Sequence, residues 1–165
     1  ELLSAVYMTM GQPKKAIAAA EHCISLDPNG ADGRAILGYA LRFAGRFEES
    51  IVSLEKAIRL NPYHPPWVLS VLGGVYTGAG RYEEAIEVLK RHNRLFPNFI
   101  KSHMDLTVSF SFLGREQEAR EAAKEVLRLD PEFSIEKYAI SINMLFRNQE
   151  DKKQYVDALR KAGLK

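Results

Sequence analysis

Two punctuating residues recur along the chain with one shared period. Glycines stand at Gly11, Gly45, Gly80 and Gly114, spaced 34, 35 and 34 apart, and prolines at Pro28, Pro62, Pro97 and Pro131 repeat the same three spacings. Each proline follows its glycine by 17 residues, and the extra residue of the 35-residue spacing falls at Pro65, at the start of the third unit. Other columns keep the register. A small residue lies five after each glycine (Ala16, Ser50, Ala85, Ala119), and a leucine eight before it (Leu3, Leu37, Leu72, Leu106). A large apolar residue lies four before it (Tyr7, Leu41, Tyr76, Phe110), and a leucine two before each proline (Leu26, Leu60, Leu95, Leu129). Apolar residues keep a 3.6 period on both sides of each glycine. The spacing predicts helix A, a tight turn, helix B and a second turn in every unit. Glycine ends helix A because a left-handed residue there satisfies orphan carbonyls without a Cβ clash. Proline stops helix B because its predecessor avoids the α region. Small residues let helices A and B approach closely, Gly38 against Ser50 and Gly73 against Ala85. A lone pair cannot bury its apolar face, whereas stacked pairs can, so the expected fold is an all-α solenoid.

The units fall at 1–30 (truncated at its start), 31–64, 65–99 and 100–133, with a degenerate capping pair over 134–165, all in one array spanning 1–165. Asn148 stands where the next glycine belongs, and Lys153 where a small residue belongs. Ser134 is the expected N-cap of the terminal pair and Gly163 its stop.

Composition narrows the function. Lysine and arginine number 23 against 21 aspartates and glutamates, a net +2 with no basic stripe. Neither nucleic acid nor a membrane is an expected partner. No apolar run reaches the roughly 20 residues that cross a bilayer, and no signal-peptide pattern opens the chain, so a cytoplasmic protein is expected. It begins at Glu1 without methionine and is read as a fragment of a longer protein. The single cysteine excludes an internal disulfide and a multi-cysteine zinc site.

These columns resemble the tetratricopeptide repeat (TPR), a 34-residue helix–turn–helix unit. Residues 31–64 match through Leu37-Gly38, Leu41, Gly45, Phe47, Ser50, Leu54, Ala57 and Pro62, and residues 66–99 through Leu72-Gly73, Tyr76, Gly80, Tyr82, Ala85, Leu89 and Pro97. Departures are Cys23, His92 and Val126 at alanine columns and Asn93 at an apolar one, which suggests looser packing of the third helix B. The resemblance implies a right-handed superhelical solenoid with partners along the concave face of the A helices. A narrower resemblance, to the C-terminal repeat region of bacterial class III adenylate/guanylate cyclases and related signalling proteins, rests on Asn61 to Trp67 and Tyr155 to Leu164. It implies a catalytic domain upstream of Glu1.

No motif supports catalysis, a cofactor or a metal. The glycine-rich stretch Gly73 to Gly80 lacks the Gly-Lys-Ser/Thr and the preceding strand of a phosphate loop. His22, His64, His92 and His103 form no zinc-ligand pair at i,i+4 spacing. His92 faces the helix seam and is expected to find a hydrogen-bond partner there. Cys23 reads as a small hydrophobe. Glu48-Glu49 and Glu83-Glu84 open helix B, where they complement its dipole.

Function is expected on the inner face of the A helices. In the second unit the inner slots are Ala35, Tyr39, Arg42 and Phe43. In the third they are Trp67, Ser70, Gly74, Thr77 and Gly78. The fourth offers Lys101, Met104, Val108, Ser111 and Phe112. Aromatics beside arginine match the composition of interface anchors, and Gly74 and Gly78 leave a shallow floor. Phe43, Trp67 and Phe112 could instead pack against neighbouring turns. Some relatives in the resembled family clamp a terminal carboxylate with Lys and Asn; here those slots carry Ala35, Tyr39, Ser70 and Gly74, so an apolar or aromatic peptide, or a domain of the same polypeptide, fits better. The expected function is a non-catalytic interaction module regulating or tethering a larger signalling protein. The alternative is self-association, as a homodimer, through Ile135, Tyr138, Ile142, Leu145 and Phe146.

Overall fold

The structure, a computed structural model, describes residues 2–138 and 149–165. Ile142, Leu145, Phe146 and Asn148 lie outside the described residues. All regular structure among those described is helical: α1 (Leu2–Thr9), α2 (Pro13–Leu26), α3 (Ala31–Phe43), α4 (Phe47–Leu60), α5 (Pro66–Gly78), α6 (Tyr82–Leu95), α7 (Ile100–Phe112), α8 (Glu116–Leu129) and α9 (Gln149–Lys161). Each odd-numbered helix through α7 pairs with the helix after it and leans on the helix before it. The A helices α3, α5 and α7 also touch one another in sequence, and α9 packs on α7. None of the described helices is long and apolar enough to cross a membrane.

The repeated glycines do what their spacing demands. Gly11, Gly45, Gly80 and Gly114 have φ of 65°, 71°, 75° and 70°. In each turn the glycine N–H donates three residues back (Gly45 to Arg42 O, 2.9 Å) and the next N–H five back (Arg46 to Leu41 O, 3.0 Å). This is the Schellman pattern that satisfies the last carbonyls of a helix. The residue after the last three of these glycines is arginine, and its stem closes the turn: Arg81 lies 4.9 Å from the Tyr76 ring centre and Arg115 4.8 Å from that of Phe110. The same arginines pair with glutamates at the start of helix B, Arg46 with Glu49 and Arg81 with Glu84. Gly163 repeats the turn at φ 103°, with Leu164 N–H on Leu159 O at 3.1 Å. Ser134 Oγ accepts the Lys137 N–H at 3.1 Å within a turn.

The core runs between the pairs as a seam. Its central part holds Leu54, Val68, Leu72, Val75, Leu89 and Leu106. α5 is apolar nearly all round because it is covered on both sides, with Val68 through Thr77 all buried. The close approaches expected at Gly38 and Gly73 exist, but a different residue fills them. A Cβ on Gly38 would lie 2.5 Å from the Leu54 side chain, and one on Gly73 would lie 2.5 Å from Leu89. The small residues act beside them: Ser50 Oγ donates to Gly38 O at 2.6 Å.

His92 and Asn93 make a polar joint between α6 and α7, not a loose one. His92 Nδ1 lies 3.0 Å from Ser102 Oγ, and the ring sits between Phe96 and Phe99. His103 Nε2 donates to Pro97 O at 2.8 Å, and Asn93 bridges the two histidines. Burial pushes the His92 pKa down; the hydrogen bond to Asn93 opposes that shift and neighbouring His103 adds to it. The unfolded chain therefore takes up this proton first as pH falls. The stability that neutral His92 contributes is complete above about 6.5 and is lost between there and the lowered folded value. Urea midpoints taken from pH 7.5 to 5 should fall, and H92Q should flatten that slope.

Candidate binding site

The inner slots of α3, α5 and α7 do not form one continuous open surface. They divide into an open half and a closed half. In the open half, Tyr39, Arg42 and Phe43 from α3, Trp67 and Ser70 from α5, and Lys101 from α7 line one cavity of about 510 Å³. Helical spacing explains the convergence, since residues three or four apart share a face. The Tyr39 ring meets Phe43 edge-on at 4.9 Å and Trp67 at 6.0 Å, and Trp67 stays 39% exposed. Phe99, Ile100, Val71 and Tyr138 complete the wall.

The closed half is occupied by the chain itself. Met104 and Val108 are 0% and 1% exposed and belong to a core with Val126, Tyr155, Leu159 and Leu164. They are not on an open surface, because α9 lies across α7. Ser111 bonds Thr107 O at 2.8 Å and lies 3.3 Å from Ala158 O of α9. Ile135 is buried and its N–H donates to Lys165 O at 2.7 Å, so it is not available to a second copy. Thr77 is also buried, with its hydroxyl on Gly73 O and Ser109 Oγ. Ala35 sits in the central core. Phe112 stacks flat on Tyr82 at 4.7 Å and 2°, packing against the neighbouring pair. Gly78 accommodates the Phe47 ring, which a Cβ would meet at 3.0 Å.

Beneath the open cavity two slot residues, Arg42 and Lys101, join a charged cluster with Asp105 and Tyr155, which the slots did not include. Asp105, 1% exposed, accepts the Tyr155 hydroxyl on Oδ1 at 2.7 Å, and Lys101 Nζ pairs with the same oxygen. Gly74 is the notch that admits this cluster. A Cβ there would lie 2.8 Å from Arg42 Nη2 and 3.0 Å from Asp105 Oδ2. Desolvation lowers the Arg42 and Lys101 pKa values, opposed in both by the Asp105 charge, and burial raises that of Tyr155. Asp105 was readable as the lone acid of α7, one turn after Lys101. Among the described residues no group of His, Cys, Asp and Glu is arranged to hold a metal ion.

A model of the tetratricopeptide repeat matches residues 41–103, and a second model of that repeat matches residues 1–29. With the stacked pairs and glycine turns above, the chain is a solenoid built of tetratricopeptide repeats. Among solved structures it is similar to crystalline MamA at 23% identity and TM-score 0.72, over 97% of this chain and 92% of that one. MamA 41-end from Desulfovibrio magneticus RS-1 gives 21% and 0.73, over 96% and 88%. YrrB, described as a TPR protein with an unusual peptide-binding site, gives 18% and 0.67, over 96% and 80%. These likenesses concern the fold. No curated protein matches in sequence.

Proposed function

We propose that the chain is a non-catalytic interaction module that seats a peptide or protein segment in the open half of its inner face, between α3, α5 and the start of α7. The observation that carries this is the cavity of about 510 Å³ walled by Tyr39, Phe43 and Trp67. Its size falls within the range of about 300–1,000 Å³ usual for ligand sites. Aromatic side chains supply large contact area at low entropic cost, and helices already stacked present them preorganised. The similarity to YrrB, whose own site binds peptide, agrees with this reading.

The test uses peptides selected from a random displayed library. Selected peptides should perturb the emission of Trp67, the sole tryptophan. By calorimetry, Y39A and W67A should each weaken them about 30-fold, the effect of a 2 kcal/mol anchor; Y39A, whose ring also packs on the core, is titrated below its lowered thermal midpoint. Undiminished binding to both variants refutes the assignment.

The partner is a segment supplied in trans or by the same polypeptide. A place in a larger bacterial signalling protein, as a regulatory or tethering part in the cytoplasm, is supported by the likeness of residues 61–67 and 155–164 to cyclase-linked repeats. The sequence preceding Glu1 tests it: a cyclase domain there supports it, and a different domain replaces it.

A further inference from the structure

Arg42 carries a buried charge in the floor of this cavity. It is only 8% exposed, yet its guanidinium makes no hydrogen bond and no ion pair within 4 Å among the described residues. Buried arginines are ordinarily paired, because desolvating a charge is costly. The nearest carboxylate is Asp105, across the Gly74 notch, and its Oδ1 is already engaged by Lys101 and Tyr155. Lys101 and Asp105 neutralise one another. The cluster therefore carries one net positive charge, located on Arg42, facing a cavity with aromatic walls. Ser70 lines the same cavity; it is 8% exposed and its hydroxyl bonds no described residue. Arg42 and Ser70 thus line one largely apolar space in which no described residue accepts a hydrogen bond from either side chain.

We propose that Arg42 and Ser70 form a seat for a single carboxylate, so that the segment bound by this module carries an acidic group beside an aromatic or apolar residue packed on Tyr39 and Trp67. This rests on the binding reading above and specifies its ligand. A guanidinium offers parallel N–H donors that match a carboxylate, and the pairing strengthens away from water. One unpaired cation suits one negative charge; a phosphate dianion calls for a cluster of arginines. The seat lies on the cavity side of the guanidinium, because Asp105 Oδ2, buried and without a hydrogen-bond partner, repels an anion from beyond Gly74. It uses none of the lysine and asparagine side chains of the family's terminal-carboxylate clamp, whose slots here hold Ala35, Tyr39, Ser70 and Gly74. The carboxylate can come from a chain terminus or from an acidic side chain.

Three probes separate these cases: N-acetylphenylalanine, the amide of N-acetyl-glutamyl-phenylalanine, and N-acetylphenylalanine amide, titrated against the whole chain by NMR up to about 10 mM, a range suited to ligands of so few atoms. At least one acid should bind about 10-fold more tightly than the neutral amide, the strength of one charge-assisted contact. The first acid alone points to a terminal carboxylate, the second alone to a side chain. R42Q should make all three probes equal, while R42K keeps part of the difference. G74A, which keeps the charge but crowds Arg42 Nη2, should weaken only the acids and guards against misfolding of R42Q. Equal affinities in the wild type, all reduced by W67A, overturn the seat and leave the binding reading standing. No binding by any probe also overturns the seat, whereas the binding reading falls only if library peptides ignore Y39A and W67A.

Discussion

Y155A is expected to lower stability by about 3–5 kcal/mol, the range for removing a buried large aromatic. For a chain of this length that is a drop of roughly 6–20 °C in the thermal midpoint. Tyr155 is among the largest fully buried side chains and is the contact by which α9 holds α7. Its hydroxyl also donates to Asp105 at 2.7 Å. Y155F keeps the ring and loses that bond together with the one its hydroxyl accepts from Lys101 Nζ at 3.2 Å, so it should cost about 1–3 kcal/mol, because a buried carboxylate oxygen loses a donor. D105N should reduce the cost of Y155F, since an amide oxygen needs the hydroxyl less than a carboxylate does, and a double-mutant cycle reads the coupling. Because contacts in a solenoid run between neighbours, the loss should concentrate in α7 to α9 and spare α1 to α4. Amide exchange resolved by helix checks this. Uniform loss across the array would contradict the assignment of α9 as a local cap.

The second large effect concerns the seam. L89A should cost about 2–5 kcal/mol, because Leu89 is fully buried and fills the notch made by Gly73. G73A alone should also destabilise. Its Cβ would lie 2.5 Å from two Leu89 carbons, and overpacking of that kind costs about 1–3 kcal/mol. Combined, the substitutions should be less harmful than L89A by itself. The alanine methyl at 73 occupies part of the vacated space, and replacing a helical glycine with alanine contributes about 1 kcal/mol. Chemical denaturation of the three variants measures the sign of the coupling. Simple additivity would mean that Gly73 and Leu89 do not share one space.

The fold was legible because its determinants are local and repeated. A left-handed glycine at Gly45 and Gly80, and a proline at Pro62 and Pro97, each have one conformational reason to stand where they do. The identity of the notch filler was less visible. Ser50 and Ala85 are the small residues of the column, but the void above a glycine takes the side chain one turn further on, Leu54 or Leu89. The inner slots followed from the 3.6 period; which of them are open did not. Val108 and Tyr39 hold the same place in their units, six residues before the turn glycine, yet Val108 is sealed by a helix some fifty residues away that carries little of the repeat signature while Tyr39 lines the open cavity. Tyr155, an aromatic in a strongly polar helix, was the signal of that docking. Gly74 reads as an empty floor in sequence, and in the structure its missing side chain is what lets Arg42 approach Asp105.

At one end of the described stack α9 covers α7, and the Ile135 N–H meets Lys165 O. Contacts in a solenoid run between neighbours, so a disturbance of that clasp reaches α7 and Lys101 before it reaches α3. The interaction cavity therefore shares a helix with the clasp: loosening α9 unsettles the Lys101 wall while the facing wall of Tyr39 and Phe43 keeps its footing.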